Sequence, residues 1–295
     1  MNHAFPAPAK LNLFLHVVGR RADGYHLLQS VFQFIDRSDT VHLHLRDDGL
    51  IVRQHAIPGV PEEVDLTVRA ARLLQRHAPP GAGVSIRLEK NLPMGGGLGG
   101  GSSDAATVLL ALNRLWQLNL PRQALQKLAL QLGADVPVFV FGQTAFAEGV
   151  GEILQPARAP HAWHVVLTPP VHVPTAAIFA APELTRDTPA LKIAPFSAGV
   201  GHTTLHGPEP VESRRPLVGH NDLQPVVVKR YPEVARHLEW LNRFGEARMT
   251  GSGACVFASF GNEVAAREVL GQLPESMQGF VAQSLDKHPL YDFCA

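Results

Sequence analysis

Cysteine is scarce in this chain: Cys255 and Cys294 are the two in 295 residues. They are too far apart for a CxxC metal or redox pair, and two thiols make no secreted disulfide framework. Charge is also sparse, at 18%, and balanced, with 26 Lys and Arg against 26 Asp and Glu. No global field therefore draws the protein to nucleic acid or to an anionic membrane, and any anionic ligand must be held locally. Long apolar runs are missing too. A stretch such as Val136 to Phe141 falls far short of the roughly 20 residues a bilayer span needs. The start, Asn2-His3-Ala4-Phe5-Pro6, has neither a basic region nor an apolar core of a signal peptide, so a cytoplasmic, bacterial setting is expected. What is present is a globular composition, 45% hydrophobic, with about two domains' worth of length at roughly 150 residues each.

Along the chain, Ala9 to Val18 alternates, with Leu11, Leu13, Leu15 and Val17 on one face and Lys10, Asn12, Phe14 and His16 on the other. That period of two reads as a strand carrying a polar face. Arg20 to Gly24 ends in Asp-Gly, a turn dipeptide, and leads into Tyr25-His26 and the apolar stretch Val31 to Ile35. Val41 to Arg46 and Val84 to Leu88 alternate again. Helical periodicity marks Val64 to Arg76, Ser103 to Leu118, Pro121 to Leu132, Pro232 to Phe244 and Val264 to Leu270. Further strands are predicted at Trp163 to Thr168, Cys255 to Phe260 and Gly279 to Gln283. Residues 185–219, rich in Pro, Gly, Ser, Thr and His without periodicity, read as a mobile excursion. A domain boundary is expected near 150–160. No internal repeat is visible.

The most informative segment is Leu92-Pro93-Met94-Gly95-Gly96-Gly97-Leu98-Gly99-Gly100-Gly101-Ser102-Ser103-Asp104, placed between an alternating strand and a strongly periodic helix. Six glycines in the seven positions 95–101 are entropically costly. They make sense where bare backbone N–H groups lie against phosphate oxygens at a helix N-terminus, rather than in a linker. Gly95-x-Gly97-x-x-Gly100 formally fits a dinucleotide fingerprint, but no acid for a ribose follows about 20 residues on. A Walker loop would need Lys after its glycines, and Ser102-Ser103 stand there instead.

Pro93-x-Gly95-x-Gly97-Leu98-Gly99-x-x-Ser102-Ser103 resembles the central motif of the GHMP small-molecule kinases, which include galactokinase, homoserine kinase and mevalonate kinase. Pro8-Ala9-Lys10-Leu11-Asn12-Leu13 is similar to the family's first motif, and Thr250-Gly251-Ser252-Gly253-Ala254-Cys255 to its third. Arg21 to His26, Gly133 to Phe139 and Asn221-Asp222-Leu223 further resemble a branch whose acceptor is a cytidine diphosphate alcohol, used in isoprenoid precursor synthesis.

The resemblance implies an α+β fold of two domains: an ATP-binding one over 1–155 with a mixed sheet and helices, and a C-terminal α/β sandwich over 156–295. It implies ATP as phosphoryl donor, bound by residues 93–103, that is Pro93, Met94, Gly95, Gly96, Gly97, Leu98, Gly99, Gly100, Gly101, Ser102 and Ser103. Magnesium should arrive with ATP; Ser102 or Ser103 could ligate it, and no Glu partner is assigned. The same resemblance makes Lys10 and Asp135 catalytic, Asn12 a contact to the alcohol portion, and Tyr25 and Phe179 a sandwich for cytosine, with His26 reading its edge and Thr175 nearby. From the residues alone these positions look ordinary. Asp135 after Gly133-Ala134 suits a helix N-cap, Lys10 a solvated strand charge, Phe179 a core residue.

Asp65 stands where some relatives have Asn, and Asp104 puts a carboxylate beside the phosphate loop, where it should point away or cap the helix. The 15 histidines suggest metal, but His42 and His44 share a strand face with no third ligand in view. Two rival readings remain: a kinase for a small alcohol such as mevalonate or homoserine, which has no base for Tyr25 and Phe179 to stack, and a non-catalytic nucleotide sensor, which need not keep both Lys10 and Asp135.

Overall fold

The computed structural model describes residues 2–191, 203–204 and 219–294. The chain opens with a long antiparallel hairpin, β1 (Asn2–Arg20) and β2 (His26–Arg46), joined by the turn at Arg21 to Tyr25. Sequence alternation breaks this hairpin into several strands because its register slips between Pro8 and Ala9, between Asn12 and Phe14, and between Val17 and Gly19. Each bulge interrupts the period of two. Both faces of β1 are covered, so Leu11, Leu13 and Phe14 are all buried, and Phe14 leaves the polar face on which alternation had placed it.

Next come β3 (Ile51–Arg53), α1 (Leu66–Gln75), β4 (Gly83–Glu89), α2 (Gly100–Leu115), α3 (Arg122–Leu130), α4 (Val136–Phe141) and β5 (Ala145–Glu148). β6 (Ile153–Arg158), β7 (Trp163–Leu167), α5 (Thr175–Phe179) and the short β8 (Thr203–Thr204) follow. The chain continues through α6 (Gln224–Arg230), α7 (Pro232–Asn242), β9 (Arg248–Met249), β10 (Val256–Phe260), α8 (Glu263–Leu270) and β11 (Gly279–Leu285). The segment expected to be mobile over 185–219 lies mostly outside the described residues. α2 begins three residues earlier than periodicity predicts, inside the glycine run, because Gly99 at φ 72° ends the loop and the helix starts directly behind it.

The architecture is α+β. Among the described residues one sheet runs β8-β6-β5-β2-β11-β7-β10-β9, with β1 and β4 also on β2. β11 is its seam: Ser284 and Leu285 pair with Ile35 and Phe34 of β2, while Gly279 to Gln283 pair with β7. The division expected at 155/156 falls within β6, which is paired to β5. One apolar cluster lies under α1, α2 and α4 against β2 and β4 (Val41, Leu74, Ile86, Leu109, Phe139). A second lies between β7, β10 and helices α6 to α8 (Val165, Val227, Leu241, Val256), with Leu15 and Val17 of β1 reaching into it. A third, with Leu11, Phe14, Ile35 and Phe257, fills the space between them. Arg122 reinforces the join by donating to the carbonyls of Val140 in α4 and of Tyr291 and Cys294 beyond β11.

Candidate active site

Two cavities meet at the glycine loop. The larger, about 800 Å³, runs from Lys10 and Asp135 past Thr175 to Tyr25, His26 and Phe179. The smaller, about 340 Å³, is lined by residues 93–102 together with Ile57, Leu66 and Lys90. Gly95, Gly97 and Ser102 line both. A group held in the smaller cavity can thus reach the larger one across that stretch of loop. Both volumes fit small-molecule sites.

Lys10 projects from β1 and is buried; burial lowers its pKa, and the Asp135 carboxylate pulls the other way. Its ammonium donates to Asn12 Oδ1 (2.5 Å) and to the Gly97 carbonyl (2.9 Å), and lies 3.7 Å from Asp135 Oδ2. The strand Lys is therefore no solvated charge. Asn12 is held in turn: Nδ2 donates to Ser30 Oγ (2.8 Å), and its backbone N–H donates to Thr250 Oγ1 (3.0 Å). Asp135 stands at the N-cap position of α4 but makes no capping bond, and its side chain is 44% exposed. The capping role that the residues alone suggested is thus corrected; the carboxylate is left open to the cavity.

The loop rests on the third glycine-rich segment. Gly97 has φ 75°, and a Cβ there would overlap the Thr250 carbonyl and come within 3.1 Å of that of Gly253. Cys255 N–H donates to the Gly96 carbonyl (3.1 Å), which zips the two segments together. At the start of α2 the N–H groups of Gly100, Gly101 and Ser102 have no intrahelical acceptors, as in any first turn. That makes an anion site at a helix N-terminus. Ser102 faces both cavities, whereas Ser103 is wholly buried and lines neither.

Asp104 does not cap α2, as one of its two expected roles required. Burial pushes its carboxyl up to about 7, against the pull of Lys90 2.6 Å away. Lys90 also pairs with Asp39, and although burial opposes its charge, the two carboxylates raise its pKa. Asp65 caps α1 through Thr67 and pairs with Arg53 (3.1 Å).

At the far end of the larger cavity Tyr25 is 65% exposed at the hairpin tip. His26 lies against Phe179, with ring centroids 5.1 Å apart and planes 33° apart. Phe179 ends α5 and is partly packed on the second cluster, so it shares a core role with a place in the cavity wall. Thr175 opens α5, its hydroxyl 2.6 Å from Ser252 Oγ. The structure brings Lys10, Asn12, Tyr25, His26, Asp135, Thr175 and Phe179 into one cavity wall with the loop.

Sequence reading had no reason to single out Ser30, Thr250 or Asn221 as separate contributors. Asn221 Nδ2 donates to the carbonyls of Met249 and Gly251, 2.8 Å each, fixing the segment that backs Gly97. The bonds that Ser30, Thr250 and Asn221 make to the site join positions 18 to 238 residues apart, which no local pattern encodes. His172, also in the cavity wall, lies against Gly95 and was likewise without a signal.

Fold and site together describe a small-molecule kinase, with a glycine loop at a helix start facing a Lys–carboxylate pair. Residues 65–143 match the GHMP kinases N terminal domain and residues 212–279 the GHMP kinases C terminal domain. The chain is 77% identical over 293 residues to the 4-diphosphocytidyl-2-C-methyl-D-erythritol kinase of Thiobacillus denitrificans, covering 99% of both chains. It is 60% identical to the enzyme of that name from Nitrosospira multiformis, covering 98% of this chain and 93% of that one. A crystal structure of 4-(cytidine 5'-diphospho)-2C-methyl-D-erythritol kinase superimposes with a TM-score of 0.78 at 32% identity, covering 96% of this chain and 99% of that one. A mevalonate kinase structure, at 15% identity and a TM-score of 0.64, shares the fold. The chain belongs to the 4-diphosphocytidyl-2-C-methyl-D-erythritol kinases of the GHMP kinase family.

Proposed function

We propose that the chain transfers the γ-phosphoryl group of ATP to the 2-hydroxyl of 4-diphosphocytidyl-2-C-methyl-D-erythritol, giving the 2-phosphate and ADP. This is a step in non-mevalonate isoprenoid precursor synthesis, with the cytoplasm as its setting. The observation that carries the reading is the Lys10–Asp135 pair, 3.7 Å apart, beside the loop that lines both cavities.

Phosphoryl transfer asks the protein chiefly for alignment and charge stabilisation. ATP lies in the smaller cavity, its phosphates on the N–H groups at the start of α2. The acceptor lies in the larger one, its base between Tyr25 and Phe179, His26 at the base edge, Thr175 nearby and Asn12 beside the alcohol. The reacting hydroxyl sits at Asp135, whose uncapped carboxylate takes its proton as the oxygen attacks the γ-phosphorus in line. Lys10, fixed by Asn12 and the Gly97 carbonyl, keeps its positive end at the hydroxyl and offsets negative charge on the transferring group. Magnesium would fit this site as a companion of ATP, since Ser102 lines both cavities at the start of α2. Such an ion commonly keeps one or two protein oxygens plus phosphates. Ser102 would hold it, and when bound it neutralises charge on the phosphate oxygens. The N-terminal unit over 1–155 then carries ATP, and the 156–295 unit completes the acceptor wall.

The test is ADP release with 4-diphosphocytidyl-2-C-methyl-D-erythritol set against mevalonate and homoserine. Turnover with the cytidine compound alone is expected; equal or better turnover with either small alcohol would overturn the reading.

A further inference from the structure

Arg186 follows α5 at the edge of the stretch from which sequence yields no pattern. Its guanidinium uses four of its five donors on one cluster. Nε donates to His26 Nε2 (3.0 Å), Nη1 to the Leu184 carbonyl (2.9 Å), and Nη2 to the carbonyls of Phe179 (3.0 Å) and Ala181 (2.7 Å). Two pieces of the acceptor wall that are 153 residues apart in sequence, His26 and Phe179, are therefore held by one side chain.

An Arg side chain has donors and no acceptor. The His26 Nε2 that receives its N–H must carry a lone pair, so the ring proton of neutral His26 is on Nδ1. Burial, together with the positive charges of Arg186 and Arg20, lowers the His26 pKa and keeps the ring neutral. Among the described residues Nδ1–H has no acceptor, and His26 lines the cavity.

We propose that Arg186 is a positioning residue for the acceptor site: it fixes His26 as the Nδ1–H donor and ties the end of α5 to it. The cavity then prefers a pyrimidine whose N3 accepts, as in cytosine, over one whose N3 donates, as in uracil. This rests on the functional reading above, in which the cavity holds the base. A donor facing another donor leaves both unpaired in a desolvated site. That penalty is what gives polar sites their large discrimination factors.

The experiment has two arms. In the first, ligand-free protein labelled with 15N-histidine is examined by two-dimensional 15N–1H spectroscopy near neutral pH, with His26 assigned by comparison with His26→Asn. The wild type should show the proton on Nδ1, and Arg186→Met should move it largely to Nε2, the commoner form in water. A wild-type His26 protonated on Nε2, or an unchanged tautomer in Arg186→Met, would overturn the proposal. The wild-type spectrum alone keeps the proposal falsifiable if the variant does not fold.

In the second arm kcat and KM are measured for the cytidine acceptor, its uridine counterpart and ATP. Arg186→Met should raise KM for the cytidine compound roughly tenfold or more, and should shrink the cytidine-to-uridine preference by a similar factor. The kcat should stay within about threefold and KM for ATP should stay unchanged. Equal losses in kcat and in both KM values would mark a merely structural residue and overturn the proposal. If the wild type does not phosphorylate the cytidine compound, the functional reading fails and base selection fails with it; the tautomer result still judges Arg186 on its own.

Discussion

Lys10 and Tyr25 sit on one hairpin, at opposite ends of one cavity, and are built in opposite ways. At the Lys10 end the protein's own polar groups bond one another: Lys10 to Asn12 and Gly97, Asn12 to Ser30 and Thr250, Asn221 behind them. At the other end Tyr25 is mostly exposed, and His26 keeps a donor unused. The lesson is that phosphoryl transfer demands a preorganised corner, whereas the recognition end can leave its last contacts to the ligand.

The comparison breaks hardest at the corner. Asp135→Asn should cut turnover by about 10² to 10⁴ with ATP affinity kept and only a modest drop in thermal stability, because Asp135 caps nothing but is the carboxylate facing the buried Lys10 ammonium. Lys10→Ala should cut turnover comparably and also lower the melting temperature, since it leaves Asn12 Oδ1 and the Gly97 carbonyl to share the one longer donor, Thr250 Oγ1. Near-wild-type turnover in either would falsify the assignment, and an unchanged melting temperature in Lys10→Ala would deny that the corner is self-braced. Gly97→Val should abolish binding of a non-hydrolysable ATP analogue in calorimetric titration, because a β-branched side chain at φ 75° collides with the Thr250 segment. Undiminished affinity in a folded variant would remove this loop from the phosphate site.

At the open end the effects should be smaller and selective. Tyr25→Ala should weaken the acceptor by something like one stacking contact, roughly 1 to 3 kcal/mol or about fivefold to 150-fold, with ATP affinity and melting temperature unmoved. Phe179→Ala should show the same selective loss plus a drop in melting temperature, because that ring also packs on the second apolar cluster. Parallel weakening of both ligands in either variant would contradict a base sandwich.

The last effect, on stability alone, concerns the seam. Burial brings His164 in β7 down to about 4; His288, beyond β11, falls to about 3 through burial and, secondarily, Arg122. Both folded values lie below the ordinary 6.5, so the unfolded chain takes up these protons first as pH falls. Stability is therefore full above about pH 6.5 and declines below it, by roughly 2 kcal/mol per histidine between about pH 7 and 5. Urea midpoints at the two pH values, in the wild type and in His164→Phe, check this. An acid loss that is no smaller in the variant would clear His164 of the effect.

Much of this molecule was legible in the chain itself. The glycine loop was read from composition and placement alone, since only close backbone approach justifies so many glycines before a helix. The roles of Lys10, Asp135, Tyr25 and Phe179 came from family resemblance, because each residue by itself suits a duller task. What sequence hid was long-range. The bulge after Asn12 moved Phe14 off the polar face, and the missing cap at Asp135 depends on the cavity in front of it. Thr250 and Asn221 act through partners that lie far away in sequence. Arg186 falls where periodicity had already ended.

The seam has a temporal meaning as well. On a growing chain, every residue that lines the two cavities, from Lys10 to Gly253, is synthesised before β11. Among the described residues, until Gly279 to Leu285 slot between β2 and β7 those two strands have no hydrogen-bonded link to each other, and the two halves are tied through β1 and the glycine loop, as by Asn12 to Thr250 and Cys255 to Gly96. A nascent chain thus holds its full chemical inventory before its sheet is continuous. Completion of the sheet is deferred to the last strand, after the nucleotide-binding half has had its whole time of synthesis in which to fold.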